Sequence, residues 1–303
     1  MQIHGNYWLI PYYCRMKSVD SPFKKIAIAV AFSPRCEALL AEARHLQDNL
    51  EAQMLFIHVG KKTLQEEQYL KHLLHRFGLD KEGNKTIWET GDPVDTILRV
   101  CQEEEVDLIV AGALEKESLL KYFLGGVARQ LSRKAKCSML MLTEPNIHPT
   151  GFKHIVVEGS DHPKSEYTIA TAISMGRAYA AEWIDIVQEM DLSKMALLRH
   201  EELKQAEAEA LREEFLKEED EKLQEILKCK DCRGLLIHTE RIEGKPGYVI
   251  SKFAREKNAD LLVLNSPDKQ LNLIDRVFPH DIEFALADLP CNLLIVQETT
   301  YNQ

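Results

Sequence analysis

Short, unbroken aliphatic runs alternate along this chain with longer segments in which apolar residues recur every three or four positions. In the first half the runs are "KIAIAVAF", "AQMLFIHV", "KTIWE", "DLIVAG" and "SMLML". Runs this short and this apolar predict strands covered on both faces. Between them, Arg35 to Leu50, Thr63 to Phe77, Pro93 to Glu104 and about Leu119 to Ala135 carry helical periodicity. Asp92-Pro93 predicts a helix start, because proline suits the first helical position. Regular alternation of strand and helix implies a parallel sheet wound on both faces. In such sheets ligands sit beyond the carboxyl ends of the strands, at the switch point.

The pattern occurs twice. "FKKIAIAVAFSPRCEALLAEARHLQDNLEAQMLFIHV" from Phe23 aligns without gaps on "FKHIVVEGSDHPKSEYTIATAISMGRAYAAEWIDIVQ" from Phe152, at a shift of 129. Phe23/Phe152, Lys24/Lys153, Ile26/Ile155, Pro34/Pro163, Glu37/Glu166, Ala41/Ala170 and Ile57/Ile186 coincide. "GDPVDTILRVCQEEEVDLIVAG" from Gly91 matches "GKPGYVISKFAREKNADLLVLN" from Gly244 at a shift of 153, so the second copy carries 24 more residues in between. "CSMLML" from Cys137 matches "CNLLIV" from Cys291 at a shift of 154. The expected organisation is a loose arm over 1–22, one domain over 23–148 and a second over 151–299, with "EPNIHPTGF" as the linker. Met16-Lys17 is an alternative start of translation.

These features resemble the universal stress protein family in its tandem form, over about Phe23 to Thr299. The resemblance implies two tandem doubly wound parallel-sheet α/β domains of the adenine-nucleotide α-hydrolase-like type, related by pseudo-twofold symmetry. "SMLML" and "NLLIV" would be the edges that meet, which removes two exposed edges. Nucleotide-binding members of the family carry G-x2-G-x9-G-[ST] after a strand. Here Gly112, Glu115, Gly125 and Gly126 fill those positions, with Val127 next along the helix. Small residues let backbone amides approach phosphates at a helix start. The spacing is kept, but Glu115 puts a carboxylate where a triphosphate would lie, and like charges in a partly dry cleft repel. Gly126 lacks the hydroxyl and keeps its N–H.

By the same resemblance, Ala31 stands where binding members place an aspartate for the nucleoside, and His58 and Val59 form a family-like "HV" at the adenine border. The second copy departs further, with Asn265, Asp268 and the segment Phe278 to His280 at the loop positions, and Ser160 beside Asp161 at the aspartate position. Pro279 removes an amide there. The implied function is stress response through ligand or partner binding rather than turnover, with degenerate nucleotide loops and no resident cofactor. The alternative is ATP bound in the first copy by the Gly112 to Gly126 loop, as a switch or weak ATPase.

No G-x-S-x-G, G-x4-G-K-[ST], H-E-x-x-H or G-x-G-x-x-G segment occurs, and neither S-G-G-x-D-S nor H-x-G-H is found, so no catalytic residue is assigned. The net charge of −10 disfavours nucleic acid and anionic membranes as partners. The chain has no apolar run of transmembrane length. Seven cysteines without framework spacing imply a reducing, cytoplasmic setting. Cys229 and Cys232 form a lone C-x-x-C that reads as ordinary thiols, and His72 and His75 read as surface histidines without an acid nearby, so no metal site is expected. Partners are then a small ligand or an unknown protein, within an intramolecular pseudo-dimer that can also form a homodimer. One candidate arm is the segment near 199–229, where His200 to Lys228 hold 11 acids and 5 bases at helical spacing. It reads either as an elongated second helix or as a docking arm that could be deleted with little effect on melting.

Overall fold

The computed structural model describes residues 6–8, 21–112, 114–116, 121–123, 125–160, 162–190, 217–228, 232, 234–267 and 281–298. After β1 (Asn6–Trp8), the first half runs β2 (Lys25–Ala29), α1 (Cys36–Leu50), β3 (Gln53–Val59), α2 (Leu64–Arg76), β4 (Lys85–Glu89), α3 (Pro93–Glu103) and β5 (Leu108–Gly112). A small hairpin of β6 (Leu114–Lys116) and β7 (Lys121–Phe123) follows, then α4 (Gly126–Lys134) and β8 (Ser138–Leu142). The second half runs β9 (His154–Glu158), α5 (Ser165–Ala178), β10 (Trp183–Met190), α6 (described over 217–228), β11 (Leu236–Glu243), α7 (Tyr248–Glu256), β12 (Leu261–Asn265), α8 (Asp281–Ala287) and β13 (Asn292–Val296).

Eleven strands form one sheet in the order β1-β11-β10-β9-β12-β13-β8-β5-β2-β3-β4. Within each half the neighbouring strands are parallel. The halves meet through antiparallel β13 and β8, with Leu293 opposite Met141, Leu294 opposite Leu140 and Ile295 opposite Met139. The two last strands are thus the joined edges, and each half repeats the same strand order outward from the seam.

Successive strand residues point to opposite faces, and each face has its own apolar core spanning both halves. Leu108, Val110, Leu140 and Leu294 pack with Leu40, Leu73, Ile169 and Leu223 on one face. Ile109, Met139, Met141 and Leu293 pack with Ile97, Leu131, Ile250 and Ala285 on the other. Helices therefore cover both faces, as the unbroken aliphatic strands require. Their starts follow local chemistry. The Asp92 carboxylate accepts from Val94 N (2.9 Å) and Asp95 N (3.0 Å) ahead of Pro93, and Thr63 accepts from Glu66 N while its hydroxyl donates to the Glu66 carboxylate. Caps of this kind are worth about 1 kcal/mol each.

The duplication is visible in matched contacts. Asp107 accepts from the amides of Lys24 (2.7 Å) and Lys25 (3.1 Å), and Asp260 accepts from those of Lys153 and His154 (both 2.9 Å). The gap-free alignment, however, fails at β10. Ile26 pairs with Met54, whereas its counterpart Ile155 pairs with Ile184, so Ile57 corresponds to Val187 and not to Ile186. Glu182 N (2.7 Å) and Trp183 N (3.3 Å) both donate to Lys153 O, where the first half has Gln53 N on Lys24 O. One extra residue is bulged at the strand entry, and such a slip moves every following side chain to the other face. Accordingly Ile57 and Val187 share one core and Ile186 belongs to the other.

Three further expectations change. The helix expected from about Leu119 begins only at Gly126, because Lys121–Phe123 pairs with Leu114–Lys116 and Gly125 and Gly126 follow. Within the N-terminal arm, Asn6–Trp8 adds an antiparallel strand to β11. The acidic segment is helical over 217–228, and Leu223 is buried with Ile226 and Leu227 packed against the same core, so this part is not detachable from the fold. Residues 191–216 of that segment lie outside the described set.

Candidate functional site

In the first half the carboxyl ends of β2, β3 and β5 and the starts of α1, α3 and α4 surround a cleft of about 680 Å³. It lies at the point where the strand order reverses between β2 and β5. Ala31, Val59, Gly112, Gly125, Gly126 and Val127 all line it, so six of the seven residues singled out from the sequence are brought together. Glu115 lies on β6 opposite Tyr122, and its side chain is outside the described set.

The floor is apolar. Ala29 and Ala31 follow from β2, Ile57 and Val59 from β3 and Ala111 from β5, while Ile97 of α3 and Leu131 of α4 form a wall. An aromatic group stands on the opposite side. The Phe32 and His58 ring centres are 4.7 Å apart, and Trp88 lies 4.5 Å behind His58. His58 Nδ1–H donates to Val30 O (3.0 Å) and Trp88 Nε1–H to Gly60 O (3.0 Å), which fixes both rings. A Cβ at Gly60 would come within 2.6 Å of His58 Nε2, so glycine is what allows the chain to turn past that ring. At the mouth are Ser33, Arg35 and Glu66, together with the exposed Gly126 and Val127 at the start of α4, where no side chain caps the backbone amides.

In the second half the counterpart residues are paired with their neighbours. Asn265, the counterpart of Gly112, is buried; its Oδ1 accepts from Thr168 Oγ1 (2.5 Å) and its amide donates to Ser165 Oγ (3.3 Å). Lys164, the counterpart of Arg35, donates to Ser266 O (2.8 Å), Ser266 Oγ (3.2 Å) and Pro267 O (3.3 Å). Glu189, the counterpart of Val59, accepts from Gly247 N and Ile250 N and so caps α7, where Lys245 has replaced Asp92. A cleft of about 410 Å³ lies at these strand ends, lined by Ser160 and Gln188, the counterparts of Ala31 and His58, together with Glu166 and the α6 residues Lys222, Leu223 and Ile226. Asp161, Asp268 and Phe278 to His280 lie outside the described residues.

The other sequence candidates do not gather into a site. His72 and His75 are exposed, and His75 Nδ1 pairs with Asp80 (2.7 Å), so an acid is in fact adjacent. Cys232 is buried, with Sγ 3.9 Å from Leu227 O, and Cys229 is outside the described residues. Burial pushes the Cys36 thiol at the start of α1 up to about 11, with Glu37 adding to the effect, so it is protonated at neutral pH and is a poor nucleophile. Among the described residues no group of three or more His, Cys, Asp or Glu side chains could hold a metal, and no helix is long and apolar enough to cross a membrane. Sequence reading missed Phe32, Arg35, Ile97 and Leu131 as lining, although the pairing of Arg35 with Lys164 at a shift of 129 was available as a signal.

Comparison with known proteins agrees with this geometry. The model of the universal stress protein family matches residues 61–143 and 151–297. Universal stress protein YxiE of Bacillus subtilis is 25% identical over 146 residues, covering 40% of this chain and 99% of that protein. Universal stress protein MJ0531 of Methanocaldococcus jannaschii is 28% identical over 148 residues, covering 48% and 83%. Among solved structures, the functionally unknown protein PA1789 of Pseudomonas aeruginosa superposes with a TM-score of 0.71 at 16% identity, covering 91% of this chain and 92% of that one. A universal stress protein of Archaeoglobus fulgidus gives 0.60 at 13% identity, covering 92% and 98%. These two likenesses concern the fold.

Proposed function

The chain belongs to the universal stress protein family, with the family domain present twice, and from that premise we propose a stress-response protein that acts by binding rather than turnover. In this reading the units are residues 23–148 and 151–299, and the first holds the working site in a cytoplasmic protein. The observation that carries it is the asymmetry of the two switch points. The first is an open cleft of about 680 Å³ lined by Ala31, Val59 and the Gly112, Gly125 and Gly126 positions. At the second, Asn265 stands in place of Gly112 and is bonded to Thr168 and Ser165, and Lys164 is bonded to Ser266 and Pro267. A volume of this size suits one small molecule.

Departure from the nucleotide-binding pattern supports a changed ligand. Ala31 offers no acceptor to a ribose, and the loop that spans Gly112 to Gly125 carries Glu115. Of the polar groups at the cleft, His58 is bonded to Val30 O and Glu66 to the Thr63 hydroxyl, which favours binding over catalysis. The second reading, an ATP-dependent switch or weak ATPase, rests on the retained loop spacing and on the exposed, uncapped start of α4. Native mass spectrometry of freshly purified protein separates the two. Cargo other than adenine nucleotide, with no thermal shift in millimolar Mg-ATP, supports the first reading. Co-purified adenine nucleotide that is lost on Gly125→Trp supports the second.

A further inference from the structure

We propose that His45, Tyr179 and the linker at Gly151 form an acid-sensitive clasp between the two halves, which loosens when the His45 ring takes a second proton. The parts come from both copies. His45 lies on α1, Tyr179 closes α5, and their ring centres are 5.3 Å apart. The linker backbone runs directly over both rings: a Cβ at Gly151 would stand 2.8 Å from Tyr179 Cδ1 and 3.1 Å from His45 Nε2. Its φ of +77° is one that glycine adopts freely. Asn146 N pins the same linker to α1 by donating to the Glu42 carboxylate (3.1 Å), one turn before His45. The duplication does not supply this pair twice, since at the shift of 129 His45 corresponds to Ser174 and Tyr179 to Leu50.

The contacts hold the ring neutral. Asn49 Nδ2 donates to His45 O (2.8 Å), which fixes the amide with its nitrogen toward the ring, 3.4 Å from Nδ1. Nδ1 is then the acceptor and the proton sits on Nε2. His45 Nε2 and the Tyr179 hydroxyl oxygen are both buried, with no hydrogen-bond partner among the described residues. A second proton would press Nδ1–H against the Asn49 amide hydrogens and leave a charged N–H buried without an acceptor. Burial above all, helped by Lys153, holds the ring below the ordinary histidine range; Asp48 acts the other way but already pairs with Arg44 and Lys81. Lys153 itself is fixed on Tyr179 O and Ala180 O. Burial and Glu42 keep the Tyr179 hydroxyl protonated throughout. With the linker lifted, water reaches Nε2, so the open form takes the proton more readily than the closed one. Closure is therefore complete above the ordinary histidine range and is lost as pH falls through it. Glu42, whose carboxyl burial raises, works in the opposite sense.

The test is hydrogen–deuterium exchange of the intact chain, read in peptides spanning residues 145–153 at pH 7.5 and pH 5.5 and corrected for the intrinsic rate at each pH. Protection should be about tenfold lower at pH 5.5, the effect of burying one polar group without a partner. His45→Gln, which cannot take the proton, should show the same protection at both values. His148 and His154 remain in that variant, so a response from either would persist. Glu42→Gln should keep the acid loss. In the unmodified chain, proton NMR should show the His45 ring titrating below the ordinary histidine range. Equal protection at the two pH values, an acid loss that survives His45→Gln, or one that vanishes in Glu42→Gln would refute the clasp. A His45 ring titrating at or above the ordinary range would refute it whether or not the variants fold.

Discussion

Leu294→Ala at the seam tests whether the two halves behave as one sheet. Leu294 is fully buried on β13, opposite Leu140 of β8, in a core that also holds Leu40 and Leu73 of the first half. Truncating such a leucine leaves a cavity lined by both halves and costs about 3–4 kcal/mol. At roughly 2–4 °C per kcal/mol for chains of this order, melting should fall by about 10 °C. Two native tryptophans report separately. Trp88 on β4 is packed on His58 in the first half, and Trp183 at the start of β10 lies edge-on to His154 in the second. In proteins that lack Trp8 and keep only one of these two, urea unfolding followed by fluorescence should show both midpoints shifted together. If the Trp88 midpoint stayed at its parent value while that of Trp183 fell, the seam would not couple the halves and the argument from the continuous sheet would be wrong.

Glu42→Gln should raise stability at neutral pH, because burial lifts the Glu42 carboxyl above its usual range despite the bond from Asn146 N. A carboxyl raised in the folded state favours folding below its unfolded value and opposes it as pH rises through the folded one, so the gain should vanish in acid; equal melting shifts at pH 3 and pH 7 would contradict this. Lys164→Ala removes three hydrogen bonds to the Ser266 and Pro267 segment and should cost about 1–3 kcal/mol in urea unfolding; an unchanged midpoint would show that these bonds contribute nothing net. Glu189→Ala should lower stability by about 1 kcal/mol through loss of the α7 cap, and pairing it with Lys245→Asp should restore part of that loss by recreating the arrangement of Asp92.

Much of the fold was legible because its signals are local and repeated. Asp92-Pro93 carries its own helix start, and unbroken runs such as "DLIVAG" and "SMLML" can be satisfied only between two helical layers. The cleft was legible as backbone, through glycines at kept spacing. Its chemistry was less so, since Phe32, Ile97 and Leu131 are ordinary apolar residues until the fold aims them at one space. The slip at Glu182 and Trp183 was hidden because Ile186 and Val187 are both aliphatic, so either register reads as a buried strand. The hairpin of Leu114–Lys116 with Lys121–Phe123 depends on pairing across a loop, which helical periodicity cannot detect. The exchange of Asp92 and Val59 for Lys245 and Glu189 is a three-dimensional compensation between a loop and a strand end, and no single aligned position reveals it.

The antiparallel join of β8 and β13 has an evolutionary consequence. Separate identical subunits meeting through this edge would associate only as concentration allowed, and any substitution in one cavity would appear in both. A covalent tether makes the association intramolecular at all dilutions. It also frees each copy to drift alone, so that one switch point can acquire an asparagine and a lysine where its twin keeps a glycine and an arginine.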